Sequence, residues 1–286
     1  MINALTVDVE DYFMVAAFSD VIPADHWDKY ECRLGAVMPR LLDLLDRYCV
    51  KGTFFVLGWV AERFPHLVRD IHGRGHEVAC HSYRHRLVYE QTPAQFREDT
   101  RKAKGILENI LGEPILGYRA PSYSVTNASL WALNILSEEG FEYDSSVYPV
   151  RHDRYGIPGF GRFPRRMEGN GGEGIVEIPP STVRILGMTL PFGGGGYLRL
   201  FPASWTEWAL RDLNGREEQP AIVYVHPWEM DPDPPRMQGN AVSVFRHYVN
   251  IGTTEEKLSR LLRGFGFGPM RQVFERYFQY KNDRQG

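Results

Sequence analysis

The sequence predicts an α/β fold, with a parallel sheet or barrel and helices packed outside it. Three observations carry this. Short β-branched and aromatic runs alternate with longer segments of helical periodicity over the first half of the chain. The 286 residues are 43% hydrophobic and 24% charged, an ordinary globular composition with enough chain to bury a full core. Titratable residues fall at the ends of the apolar runs, where parallel α/β folds gather their chemistry.

The elements follow in order. Ala4–Val9 reads as a strand ending in acids, and residues 36–50 as an amphipathic helix with Val37, Leu41, Leu44, Leu45 and Tyr48 on one face. Thr53–Leu57 is a second strand, Trp59–His72 a helix ended by Gly73 and Gly75, and Glu77–Cys80 a third strand. Thr92 caps a helix that has Pro93 at its first position and runs to about Leu111. Ile115–Tyr118 is a strand, Ala128–Glu139 a helix and Phe141–Tyr143 a strand. Residues 150–175 have many Gly, Pro and Arg and no period, which predicts an extended loop or hairpin insert. Strands return at Val176–Ile178 and Ala221–Val225, with a helix at Ala203–Leu213 between them. Thr253–Arg263 is a last amphipathic helix, with Thr253 or Thr254 as its cap.

Composition excludes several function classes. Lys+Arg number 33 against 36 Asp+Glu, a net charge of −3, which argues against a nucleic-acid partner held on a basic face. Cys32, Cys49 and Cys80 are too few for a disulfide scaffold. The N-terminus MINALTVDVEDYF has no basic leader region, and the strongest apolar run, Phe54–Ala61, is far short of the roughly 20 residues of a membrane helix. The expectation is a cytoplasmic protein with no integral membrane segment.

The strand ends hold the candidates for chemistry. His81 and His85 are four residues apart, a spacing that on one helical turn puts both imidazoles on one face and suits Zn²⁺ or a similar ion. On a strand, Asp8 and Glu10 point to one face and Asp11 to the other. Two carboxylates on one face can divide metal ligation and proton abstraction between them. Asp8 sits within an apolar strand and needs a partner, which a bidentate Arg119 would supply. His226 ends an apolar strand before Pro227 and is a candidate general acid, with Trp228 and Glu229 placed to shape the pocket or orient it. Gly193–Gly196 lacks the Lys-Ser/Thr of a phosphate loop and reads as a flexible loop at the pocket mouth. Strand alternation turns Cys80 away from His81.

These segments resemble the polysaccharide deacetylases of the NodB-homology type, carbohydrate esterase family 4. The resemblance rests on Thr6-Val-Asp8-Val-Glu10-Asp11, Gly75-His76-Glu77 leading to His81-Ser82-Tyr83-Arg84-His85, Arg119-Ala120-Pro121, Asp144-Ser145 and the strand-end His226, over roughly residues 4–228. The tail Phe245-Arg246-His247-Tyr248-Val249-Asn250 and Leu261–Phe265, with Gly193–Tyr197 and His226–Glu229, is similar to a subgroup from exopolysaccharide loci of the exosortase/PEP-CTERM type.

The resemblance implies a distorted (β/α)7-type barrel over residues 1–230 and a C-terminal extension over 231–286 packed on it. It implies metal-dependent removal of N-acetyl groups from amino-sugar residues of a glycan. Asp8 would be the base, His226 the acid and Arg119 the group that orients Asp8. His81 and His85 would ligate a divalent ion, zinc first, with cobalt, nickel or manganese as alternatives. Many members have two adjacent aspartates, but Val9 follows Asp8 here. The third ligand is then Glu10, on the strand-face argument, or Asp11, if a bulge turns it in. Tyr123, Asp144, Tyr197 and Trp228 are the candidate substrate contacts. Two rivals stand: a metal-independent amidohydrolase acting on a small amide, like the allantoinases, and a non-catalytic glycan-binding relative.

Overall fold

In the first strand, β1 (Ile2–Val9), alternation separates two environments. Leu5, Val7 and Val9 join the large apolar cluster beneath the helices, whereas Ala4 joins a second cluster inside the curve of the sheet. The same split recurs in β2 (Thr53–Val56), β3 (Glu77–Cys80) and β10 (Ile222–Val225). Phe54, Val56, Val78, Cys80, Val223 and Val225 face the helices; Phe55, Ala79 and Ile222 face inward. Strands covered on both faces read as continuous apolar runs, as parallel barrel strands do.

A computed structural model describes residues 1–169 and 174–279. The main sheet runs β10-β1-β2-β3-β4-β5-β7-β6, with β4 at Gly117–Tyr118, β5 at Tyr143–Asp144, β6 at Arg165–Met167 and β7 at Ile175–Glu177. The pairs from β10 to β7 are parallel, and β6 lies antiparallel on β7. Between them run α1 (Leu34–Arg47), α2 (Gly58–Arg63), α3 (Pro65–Gly73), α4 (Pro93–Leu111) and α5 (Trp131–Glu138). Beyond β7 come a hairpin of β8 (Thr182–Ile185) and β9 (Met188–Pro191), then α6 (Gly195–Leu200) and α7 (Ala203–Gly215). The sheet curls back on β10 through single contacts: Ile222 N donates to Ser181 Oγ at 2.7 Å and Tyr224 N to Gly193 O at 2.8 Å. Side-chain and loop contacts replace a full strand pair there, and this distorts the barrel.

After β10 the chain forms α8 (Ala241–Tyr248), α9 (Thr254–Gly264), β11 (Gly266–Gly268) and α10 (Met270–Val273). β11 pairs in parallel with β1, and Met270 and Phe274 plug the base of the barrel against Ala4, Phe55 and Ala79.

Several expectations are corrected. The single helix over Trp59–His72 is two, because Pro65 cannot donate into a continuing helix and instead starts α3. Thr253 does occupy the N-cap of α9, but its side chain makes no capping bond; Oγ1 donates instead to Asn250 O at 2.8 Å. Gly193–Gly196 is not a flexible loop. A Cβ on Gly194 would lie 2.0 Å from Tyr224 O, so these glycines let the backbone press onto β10 and begin α6. The insert expected over 150–175 is loop followed by the β6–β7 hairpin; residues 170–173 of it, and 280–286 of the extension, lie outside the described residues.

Candidate active site

The inward face of β1 climbs in layers from the plug to the rim. Ala4 packs on Met270, Thr6 lies above it, and Asp8 and then Glu10 reach the carboxyl edge. Arg119, just past β4, is fully buried between these layers. Its guanidinium lies 4.1 Å from the Phe55 ring centre, and Nη1 donates to Thr6 Oγ1 at 2.8 Å and to Asp8 Oδ1 at 2.7 Å. Nη2 donates to Ser145 Oγ at 3.2 Å. Burial disfavours the charged guanidinium, but Asp8, Tyr123 and Tyr143 together overcome it and raise its pKa. Arg119 therefore fixes Oδ1 of Asp8 and leaves Oδ2 toward His226, whose Nε2 is 3.9 Å away.

His81 and His85 do converge, with ring centres 5.4 Å apart, but not on a helical turn. The chain after β3 makes a tight loop in which Ser82 has φ 66° and His85 φ 54°. His85 N donates to Ser82 Oγ at 3.1 Å, Tyr83 N to Asp99 Oδ2 at 2.8 Å, and Gly58 N to Ser82 O at 2.9 Å. Gly58 is needed there, since a Cβ would meet Tyr83 at 2.8 Å and Ala103 at 2.9 Å. Ser122 and Tyr123 also have positive φ, of 52° and 54°. Left-handed non-glycine residues cost of order 1–3 kcal/mol each and persist where packing over-determines them.

Glu10, His81 and His85 bring one ligand atom each within 4.8 Å of one another, and all three residues are buried. The donors fit a divalent ion. His81 Nδ1 donates to Arg119 O at 2.7 Å, which fixes the tautomer and presents Nε2. Burial lowers the His81 pKa to about 4, so the imidazole is neutral, as a ligand must be. Burial would raise Glu10, but His85, His226 and His81 together overcome it and lower the carboxyl to about 2. Glu10 Oε2 lies 2.8 Å from His85 Nε2, so two of the three donors already face each other. Two imidazoles and one carboxylate leave positions open for water and substrate.

His226 ends β10 with Nε2 3.7 Å from Glu10 Oε1 and Nδ1 3.3 Å from Glu229 Oε2. Burial works against its charged form, but Glu229, Glu10 and Asp8 together overcome that and raise the imidazole to about 9. Glu229 itself is held down at about 2, against burial, by His226 and by Arg199, whose Nε donates to it at 2.7 Å. Trp228 stacks on His226 with ring centres 5.4 Å apart and donates from Nε1 to Glu10 Oε1 at 3.4 Å.

A cavity of about 430 Å³ opens over this set. Asp8, Glu10, His81, His85, Tyr123, Tyr197, His226 and Trp228 all line it. Three expected residues do not: Arg119 lies beneath the cavity and acts through Asp8, and Asp11 and Asp144 point elsewhere. Asp11 points the other way, accepting from Tyr12 N at 2.8 Å, Arg33 N at 2.6 Å and Leu34 N at 3.3 Å, so it anchors the entry to α1 and is no ligand. Asp144 is fully buried, accepts from Ser146 Oγ at 2.5 Å, pairs across the sheet with Glu177 of β7, and does not line the cavity. Sequence reasoning missed Tyr224, Tyr155, Arg199 and His247, which also line the cavity. Tyr224 precedes His226 by two on the same strand, so strand alternation marks it; the others come from segments without a chemical motif.

The family model for polysaccharide deacetylases matches residues 25–143, and one described as a domain of unknown function, DUF3473, matches residues 145–275. The peptidoglycan-N-acetylglucosamine deacetylase of Bacillus cereus is 34% identical over 95 residues, 33% of this chain and 34% of that protein. The peptidoglycan deacetylase of Helicobacter pylori is 31% identical over 110 residues, 38% of this chain and 36% of that one. The matched stretch spans about a third of the length of each. A crystal structure of a Mycobacterium smegmatis protein described as a polysaccharide deacetylase superposes with a TM-score of 0.63 at 21% identity, covering 96% of this chain and 90% of that one, a likeness of fold. Residues 25–143 therefore form a polysaccharide deacetylase domain.

Proposed function

We propose that this protein is a metal-dependent hydrolase that removes N-acetyl groups from amino-sugar residues of a glycan. The observation that carries the reading is the pairing of Asp8, held by Arg119 at 2.7 Å, with the adjoining Glu10, His81 and His85 donor set and with His226 across the same cavity. The family and the names of the two bacterial relatives support the substrate class.

Glu10, His81 and His85 would hold the ion, which supplies Lewis-acid polarisation of the amide carbonyl and of water. Asp8 Oδ2 accepts the proton of the attacking water while Arg119 keeps Oδ1 in place. The charge that grows on the carbonyl oxygen develops in a cavity lined by the buried rings of Tyr123, Trp228 and Tyr224. His226, kept charged by Glu229, donates from Nε2 to the departing amine. Tyr123, Tyr197 and Trp228 offer aromatic faces to sugar rings. In this reading residues 231–286 extend the 1–230 barrel and complete its pocket through α8. The exopolysaccharide subgroup fits the DUF3473 match over 145–275.

The test is acetate release from N-acetylglucosamine oligomers by the zinc-loaded protein and by Asp8→Asn. Release by the wild type, and a loss of at least a hundredfold in the variant, is the expected outcome. No release from any N-acetylated glycan, or equal release by both proteins, overturns the reading.

A further inference from the structure

His247 is a buried imidazole that the reaction above does not use. It lies on α8, in the tail, yet lines the same cavity as Asp8 and His226. Only 3% of the residue is exposed, and neither Nδ1 nor Nε2 has a hydrogen-bond partner. Buried polar atoms without partners are uncommon and each calls for a reason.

The ring is held firmly. It stacks on Trp228 with centres 4.0 Å apart and planes 14° from parallel. Phe18 and Tyr248 meet it edge-on, at 5.1 Å and 4.6 Å. Arg199 donates to the His247 carbonyl while pairing with Glu229, so α8 is tied to the residue that contacts His226. A phenylalanine would make the same aromatic contacts without burying two polar nitrogens. Filling the core therefore does not explain a histidine at this position. Burial lowers its pKa to about 3, which leaves a neutral ring with one donor and one acceptor.

We propose that His247 is a substrate-binding residue that the tail helix adds to the barrel's site, and that one of its free nitrogens recognises a hydroxyl of the bound sugar. A hydroxyl both donates and accepts, so it complements a neutral imidazole. Trp228 links this contact to the reacting centre: its ring lies between His247 and His226, at 4.0 Å and 5.4 Å. The inference rests on the deacetylase reading, since it takes the cavity's occupant to be a saccharide.

The test uses full-length zinc-loaded protein with tri-N-acetylchitotriose, comparing wild type, His247→Phe and His247→Gln. In His247→Phe, KM and the calorimetric Kd rise about tenfold or more, kcat stays within about threefold, and Tm does not fall, because the ring stack is kept. His247→Gln, which restores a donor and an acceptor, recovers part of the affinity. A role confined to packing gives the reverse pattern: lower Tm and unchanged KM in His247→Phe. Acetate release with KM and Kd unchanged in His247→Phe overturns the contact and leaves the deacetylase reading standing. Binding that His247→Phe weakens, without acetate release, supports the contact and overturns the reaction. Absence of both binding and release in the wild type overturns both.

Discussion

Glu229→Gln isolates the electrostatic control of His226. Glu229 Oε2 lies 3.3 Å from His226 Nδ1, and both side chains are largely buried. The imidazole is raised from 6.5 to about 9, with burial opposing and Glu229 the strongest of the carboxylates that overcome it. At about 1.4 kcal/mol per pH unit, the interval corresponds to about 3 kcal/mol in favour of the imidazolium. Glu10 and Asp8 remain after the substitution but lie farther from the ring, at 3.7 Å and 3.9 Å. The His226 midpoint should therefore fall by at least one pH unit, toward its ordinary value. The assay is an NMR titration of the ring proton in chelator-treated protein, because a divalent ion nearby would itself repel the imidazolium. Stability follows the same sign. A raised histidine stabilises the fold fully below pH 6.5, and that contribution is lost as pH rises through about 9. Wild type should therefore lose urea resistance between pH 7 and 9.5 more steeply than Glu229→Gln. An unchanged His226 midpoint in the variant refutes the assignment of Glu229 as its partner.

Three further outcomes are expected. Glu10→Gln abolishes stoichiometric zinc binding measured by elemental analysis, whereas Asp11→Asn keeps the zinc and loses about 1 kcal/mol of stability, since Asp11 only anchors the chain entering α1. Met270→Ala lowers unfolding free energy by about 2–4 kcal/mol in urea, because Met270 is fully buried in the plug of the barrel. Glu177→Gln grows more stable relative to wild type as pH rises from 5 to 8. Burial, and then Asp144, raise the Glu177 carboxyl well above 4.5, so the folded wild type holds a proton that the unfolded chain releases.

The sequence made the barrel legible because its strands are buried on both faces, and the site legible because ionisable residues at strand ends stand out against apolar runs. Asp8, Arg119 and His226 are of this kind. Where local rules gave the wrong picture, a tertiary contact had overridden them. The four-residue spacing of His81 and His85 suggested a helical turn, but Asp99 and Gly58 hold the segment in a loop with left-handed residues. Asp144 looked like a strand-end contact, yet its partner Glu177 arrives from a strand more than 30 residues later and draws it into the interior. Gly193–Gly196 carries no sign of the Tyr224 backbone it presses on. His247 lies in a tail without a chemical motif, and only the folding of α8 over the rim brings it to the cavity.

The most direct measurement is acetate release from N-acetylglucosamine oligomers by chelator-treated protein as zinc is added back. The expected result is negligible release without metal, rising to a plateau at one ion per chain, with no recovery in His81→Ala. Full release in the presence of chelator contradicts a metal-dependent site built from Glu10, His81 and His85.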